Sequence, residues 1–281
     1  MTPSLVIHIG LRKTGSSALQ EILARERATL AGKKIDYPER LTPHPAHQEI
    51  AWTLMENGPD YTRLEISRKD VYDHYCALIR RNAESGVSTL LSSEDLSLLT
   101  LDFAALEYMK ARFSGFKPLV VFYARPPISH HISNYKHAVL VGRETRSFAD
   151  YVFRSELLLH ADPGLHRGVW SSLFRRCGQV RQLAYAGADF AGRSIYADFM
   201  AKVFGVQLED GYKAYRSNVS APNEVIQYAL GLNRSDLPDA HIAGIKQGLN
   251  ALPATTGEEA FLKAHLSVDE QRLLRRIYGL A

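Results

Sequence analysis

The feature that most constrains the fold of this chain is a series of short, nearly continuous apolar runs, Leu5–Ile9, Thr89–Leu91 and Leu119–Tyr123, separated by longer amphipathic stretches. Runs of this kind suit parallel strands covered on both faces, whereas antiparallel strands with one wet face alternate apolar and polar residues. A fourth run, Val180–Tyr185, contains Arg181 and Gln182 and so belongs nearer a sheet edge. Between the strands, Leu19, Ile22, Leu23 and Leu30 recur at helical spacing over 17–30, and Phe103, Leu106, Met109 and Phe113 do so over 101–113, with Gly115 as the expected stop. Segments near 67–84, 128–140, 147–159, 166–176 and 194–204 also read as helices. The expectation is a three-layer α/β architecture: a central, mostly parallel sheet with helices on both faces. It spans 1–281 as a single domain, with an excursion over 33–85 that shapes an acceptor site and a helical C-terminal part over 205–281.

With 281 residues, 46% of them hydrophobic, the chain can bury a substantial core. The longest apolar runs fall far short of a bilayer span, and the first strand begins at once, so a soluble, cytoplasmic protein without an integral membrane segment is expected. Cys76 and Cys177 lack ligand-like spacing and read as free thiols. The net charge of +4 comes from scattered basic pairs such as Arg80-Arg81 and Arg175-Arg176. That pattern suits a polyanionic small ligand or an acidic acceptor; no basic stripe interleaved with aromatics argues for nucleic acid.

The stretch from Val6 to Ser17, VIHIGLRKTGSS, is a strand, a turn with two glycines and a helix start. Such a turn aims backbone N–H groups and the positive end of a helix at one point, which makes an anion site. An ATP-binding Walker loop places its lysine directly after the last glycine, but here Lys13 precedes Gly15. The stretch instead resembles the 5′-phosphosulfate loop of sulfotransferases that use 3′-phosphoadenylyl sulfate (PAPS). It is most similar to a bacterial branch reading His-x-Gly-x-x-Lys-Thr-Gly-Thr-Thr-x-Leu-Gln, matched by His8, Gly10, Lys13, Thr14, Gly15, Ser16, Ser17, Leu19 and Gln20. The resemblance implies a P-loop-type fold and a cradle of Arg12, Lys13, Thr14, Gly15, Ser16 and Ser17 for the donor, with Lys13 neutralising charge on the leaving 3′,5′-bisphosphate (PAP).

A second motif follows the Leu119–Tyr123 run, where Arg125 and Ser133 have the eight-residue spacing of the family's 3′-phosphate clamp. A guanidinium fork and a hydroxyl suit phosphate oxygens. Tyr185, at the end of the fourth strand, matches a family tyrosine near the adenine, although the acidic residues that follow it in the family are missing. The segment Arg216–Ser220 is similar to a late segment of the same branch, with no contact assigned.

Sulfuryl transfer to a hydroxyl needs a base. Ser92-Ser93-Glu94, after the Thr89–Leu91 strand, is similar to a Ser-Ser-Glu element of the bacterial branch, and Glu94 is the candidate base. The competing assignment is a first-turn carboxylate that merely stabilises a helix start. His47, in the excursion, is the alternative base, and His8, just before the loop, a further competitor; either could be an ordinary packing histidine. His130, His131 and His137 lack a joining carboxylate or cysteine, so no metal is expected. The resulting expectation is a PAPS-dependent sulfotransferase acting on a hydroxyl of a small molecule or glycan. A P-loop kinase or NTPase, or an inactive PAPS- or PAP-binding protein, is the alternative.

Overall fold

The computed structural model describes residues 3–44, 46–55, 64–185, 194–208, 223–235, 237–250 and 257–280. In chain order the first elements are β1 (Leu5–Ile9), α1 (Ser16–Arg25), α2 (Arg27–Ala31), β2 (Ile35–Asp36), α3 (Gln48–Trp52), α4 (Arg68–Glu84) and β3 (Ser88–Ser93). A 3-10 segment, Glu94–Leu101, leads to α5 (Phe103–Phe113), β4 (Leu119–Ala124), α6 (Pro127–Leu140), α7 (Phe148–Val152) and α8 (Ser155–His160). Then come α9 (Pro163–Phe174), β5 (Gln179–Ala184), α10 (Ile195–Phe199), α11 (Asn223–Asn233), α12 (Asp239–Asn250), α13 (Glu258–His265) and α14 (Val268–Ile277).

The strands form one five-stranded sheet in the order β2-β3-β1-β4-β5, and every pairing is parallel. β1 runs beside β3 with Ile9 opposite Ser93, and beside β4 with Val6 opposite Leu119. β5 is an edge strand, which explains its tolerance of Arg181 and Gln182.

Alternate residues of the inner strands feed two different cores. Leu5, Ile7 and Ile9 of β1, with Val120 and Phe122 of β4, pack against Tyr72 and Tyr75 of α4, Leu106 and Phe113 of α5 and Trp170 of α9. Val6 of β1, with Leu90, Val121 and Tyr123, packs against Leu19, Ile22 and Leu23 of α1 and Phe199 of α10. The two-residue period of a strand thus makes the sheet the middle of three layers.

Residue contacts divide the chain into two compact units, 1–124 with 164–215, and 125–163 with 216–281. The first holds the sheet. The second is helical, with Ile132, Tyr135 and Val139 of α6, Phe148 of α7, Ile226 of α11, Phe261 of α13 and Leu274 of α14 in one apolar cluster. α14 starts with a reciprocal cap, in which Ser267 accepts from the Glu270 N–H while the Glu270 carboxylate accepts from the Ser267 N–H.

Several local expectations need correction. The 33–85 excursion, expected as helix and loop, holds the helices α3 and α4 and also the short strand β2, which was not expected. Helix 101–113 begins at Phe103, because Asp102 accepts from the Ala105 N–H and caps it there. Beyond it a 3-10 turn, Ser114–Phe116, ends where Lys117 enters the left-handed region at φ 50°, so the reversal falls on Lys117 and not on Gly115. The stretch 147–159 is two helices, broken at Phe153 and Arg154. Arg216–Ser220 lies outside the described residues.

Candidate active site

The loop after β1 is shaped by its own short side chains. Thr14 is buried and donates from Oγ1 to the Leu11 carbonyl at 2.6 Å; Ser16 is buried and donates to the same carbonyl at 3.3 Å. These two hydroxyls therefore fold the loop back on itself, while Ser17 is exposed. Lys13 and Gly15 both adopt left-handed backbone, at φ 61° and 79°. For Gly15 that conformation is cheap; for Lys13 it costs about 1–2 kcal/mol.

Gly10 is required for a different reason, since a Cβ there would lie 2.2 Å from Ser16 Oγ and 3.3 Å from Glu94 Cα. At Gly15 a Cβ would lie 2.8 Å from Ile195 Cδ1 and 3.2 Å from Tyr185 Cε2, so the Tyr185 ring borders the loop. Helix α1 begins at Ser16 with Gly15 as its N-cap, and no side chain caps it. Its leading N–H groups and dipole thus favour an anion.

Glu94 stands directly after β3, as the first residue of the 3-10 segment. The exits of β1 and β3 are tied by the Gly10 N–H, which donates to the Ser93 carbonyl at 3.2 Å. Burial raises the Glu94 pKa above the ordinary glutamate value; the Asp95 carboxylate adds to the rise, while the Arg12 and Lys13 cations oppose it. A half-buried carboxylate with raised proton affinity, within electrostatic reach of two cations, is suited to accept a proton from a hydroxyl.

His47 is engaged on both ring nitrogens. Its Nδ1 accepts from the Ser92 N–H at 3.1 Å and its Nε2–H donates to the Pro38 carbonyl at 3.2 Å, an arrangement that fixes the tautomer. The side chain is fully buried, and burial lowers its pKa to about 3. Its backbone N–H also donates to the Ser92 carbonyl at 2.8 Å, so His47 stitches the excursion to the end of β3. His8 is likewise buried, with Nδ1 at 2.8 Å from Ser92 Oγ and a pKa lowered by burial to about 4. Gln20 of α1 donates to that same Ser92 hydroxyl at 3.1 Å.

Arg125 is the residue after β4 and opens the second unit, in which Ser133 lies on α6; both are half-buried. Of the other residues singled out, Arg12, Lys13, Thr14, Gly15, Ser16, Ser17, His47, Glu94 and Tyr185 all belong to the first unit. His131 is committed elsewhere: its Nε2 lies 2.6 Å from the Tyr278 hydroxyl, which donates to the Leu158 carbonyl. Among the described residues, no group of three or more His, Cys, Asp or Glu side chains could hold a metal ion, and no helix is long and apolar enough to cross a membrane.

Sequence reasoning passed over Trp52 and gave Asp95 no role. The Trp52 indole N–H donates to Asp95 Oδ2 at 2.7 Å, and Arg12 NH2 reaches Asp95 Oδ1 at 3.5 Å. Asp95 was visible as the neighbour of Glu94 in SSED, but nothing in the sequence joins it to a tryptophan 43 residues earlier.

No family model matches the chain, and no curated protein does. Among solved structures it is similar to a sulfotransferase from Alicyclobacillus acidocaldarius, at 17% identity and a TM-score of 0.44, covering 88% of this chain and 96% of that one. A likeness at that identity and score leaves activity to be argued from the site's own residues.

Proposed function

We propose that the protein is a sulfotransferase that moves the sulfuryl group of PAPS to a hydroxyl acceptor. The observation that carries this reading is the pairing of a cationic anion loop after β1, Arg12-Lys13, with the proton-accepting Glu94 after the adjacent parallel strand β3. Ligands in open parallel sheets bind outside the carboxyl ends of the strands, where these two loops stand.

In the proposed reaction Glu94 takes the proton of the acceptor hydroxyl while its oxygen attacks sulfur in line with the bond to the 5′-phosphate. That S–O bond breaks, its electron pair leaves with the phosphate, and the products are a sulfate ester and PAP. Lys13 offsets the negative charge that grows on the bridging oxygen, and the uncapped start of α1 holds the 5′-phosphate. For the 3′-phosphate and the adenine the reading rests on motif resemblance alone, which assigns Arg125 and Ser133 to the first and Tyr185 to the second. His47 is left out of the chemistry because both of its nitrogens are bonded to backbone. The net charge of +4 suits an anionic or glycan alcohol, and the 33–85 excursion supplies the acceptor side.

The test is incubation with PAPS and a panel of alcohols and cell extract, followed by mass spectrometry for addition of one SO₃. Product is expected with wild-type protein and lost in Glu94→Gln by about 10²–10⁴-fold. Thermal stabilisation by ATP with Mg²⁺ but not by PAP, without sulfated product, would overturn the reading in favour of an NTPase.

A further inference from the structure

The residues around Glu94 include one buried carboxylate that the proposed reaction does not use. Asp95 is only 6% exposed, and a carboxylate so placed is costly unless its oxygens find partners. Here each oxygen has one, and the two partners come from different segments. Trp52, the last residue of α3 in the excursion, donates its indole N–H to Oδ2 at 2.7 Å; Arg12, in the loop after β1, reaches Oδ1 at 3.5 Å. His44 extends the group, its ring set edge-to-face on the Trp52 indole with centroids 5.7 Å apart.

We propose that Asp95 is a positioning residue that fixes Trp52 and Arg12 at the end of β3, next to Glu94 in the chain, joining the acceptor-side excursion to the donor loop. The proposal deepens the sulfotransferase reading and rests on it for the identity of donor and acceptor sides, but the geometry it invokes is independent of the substrate. The charged and titratable groups facing the pair are Arg12 and Lys13 from the loop and His44 from the excursion, itself within electrostatic reach of Arg40 and Glu49. Asp95 brings a negative charge that opposes Arg12 and Lys13 at Glu94. Its removal therefore lets the cations favour ionised Glu94.

Two measurements on the full-length protein test this without any turnover. The chain's two tryptophans, Trp52 and Trp170, give two indole N–H signals, and Trp170 donates to Thr100 as an internal control of folding. In Asp95→Ala the Trp52 indole should exchange with solvent about tenfold faster or more, while Trp170 is unchanged; Asp95→Asn, which still offers an acceptor, should retain protection. The ¹³C carboxyl signal of Glu94, assigned with Glu94→Gln, should titrate at a midpoint lower by about half a unit to one unit in Asp95→Asn than in wild type, and return in Asp95→Glu. An unmoved midpoint, or an indole indifferent to Asp95→Ala, overturns the proposal; should that variant fail to fold, the Asp95→Asn midpoint decides. In the sulfuryl-transfer assay the acid limb of kcat/KM should move to lower pH in Asp95→Asn, a displacement that simple loss of folded protein would not produce. If wild type transfers no sulfuryl group, the functional reading fails on its own, and the exchange and titration results still decide the role of Asp95.

Discussion

Replacing Lys13 with glycine and, separately, with alanine separates what the lysine does for the fold from what it does for the reaction. Its backbone sits at φ 61°, where an L-residue is disfavoured by about 1–2 kcal/mol. Alanine keeps that penalty. Glycine relieves it, at a cost of about 0.5–1 kcal/mol in extra freedom of the unfolded chain. Lys13→Gly should therefore be more stable than Lys13→Ala by about 0.5–1 kcal/mol, a separation of roughly 1–4 °C in melting temperature for a chain of this size. Both variants lose the ammonium, so under the proposed mechanism both should lose sulfuryl transfer by about 10²–10³-fold, the usual consequence of deleting a charge-stabilising group. Melting curves and transfer of labelled sulfate from PAPS read the two effects separately. A glycine variant no more stable than the alanine variant would refute the strain argument. Near-normal transfer in either variant would refute the assignment of Lys13 to the leaving group.

Gly10→Ala should destabilise the protein by about 1–3 kcal/mol in denaturant unfolding, because its Cβ would fall 2.2 Å from Ser16 Oγ and 3.3 Å from Glu94 Cα. An unchanged midpoint would mean that the chain at Gly10 is not packed that closely. Acid should weaken the fold through His8 and His47, whose folded pKa values of about 4 and about 3 lie below the ordinary 6.5. The unfolded chain then binds more protons than the native one, so their contribution is intact above pH 6.5 and is lost as pH falls toward the folded values. From pH 7 to pH 5 the two together should remove roughly 3–4 kcal/mol; a stability curve flat over that window would count against neutral burial of both rings.

How much of this was legible in the sequence depended on whether the deciding contacts were local. The four predicted strands are present; β1, β3 and β4 were readable because runs such as Leu119–Ala124 are apolar and buried on both faces, and β5 from its shorter apolar pattern at the sheet edge. β2 escaped notice because Ile35–Asp36 is too short to show a period. α3 escaped because its buried residues include Gln48 and Glu49, which look solvent-facing until their partners are known. Glu49 accepts from the Leu41 N–H, the Thr42 hydroxyl and the Tyr75 hydroxyl, and Gln48 accepts from the Ser93 hydroxyl. The same blindness applied to His47: its residue type suggested chemistry, while its bonds to Ser92 and Pro38 are visible only in three dimensions. By contrast, the turn of VIHIGLRKTGSS was readable because its glycines and short hydroxyl residues act within a few residues of themselves.

The strand order explains why the cations and the carboxylates meet where they do. After β1 the chain moves outward to β2 and returns through β3 on one side of β1, whereas β4 pairs on the other side. Loops leaving a sheet at such a switch diverge and open a crevice at the carboxyl ends. The segments leaving β1 and β3 are opposite in charge: Arg12-Lys13 after one, Glu94-Asp95 after the other. Two cations facing two carboxylates would cancel if all four paired. Asp95 is satisfied by Trp52 and Arg12, so it offsets one cation while its own charge still adds to the proton affinity of Glu94. Glu94 can then respond to burial as well as to charge, and its raised pKa follows even with Lys13 nearby. A substitution that moved Trp52 alone should therefore disturb the balance at Glu94, although Trp52 carries no charge.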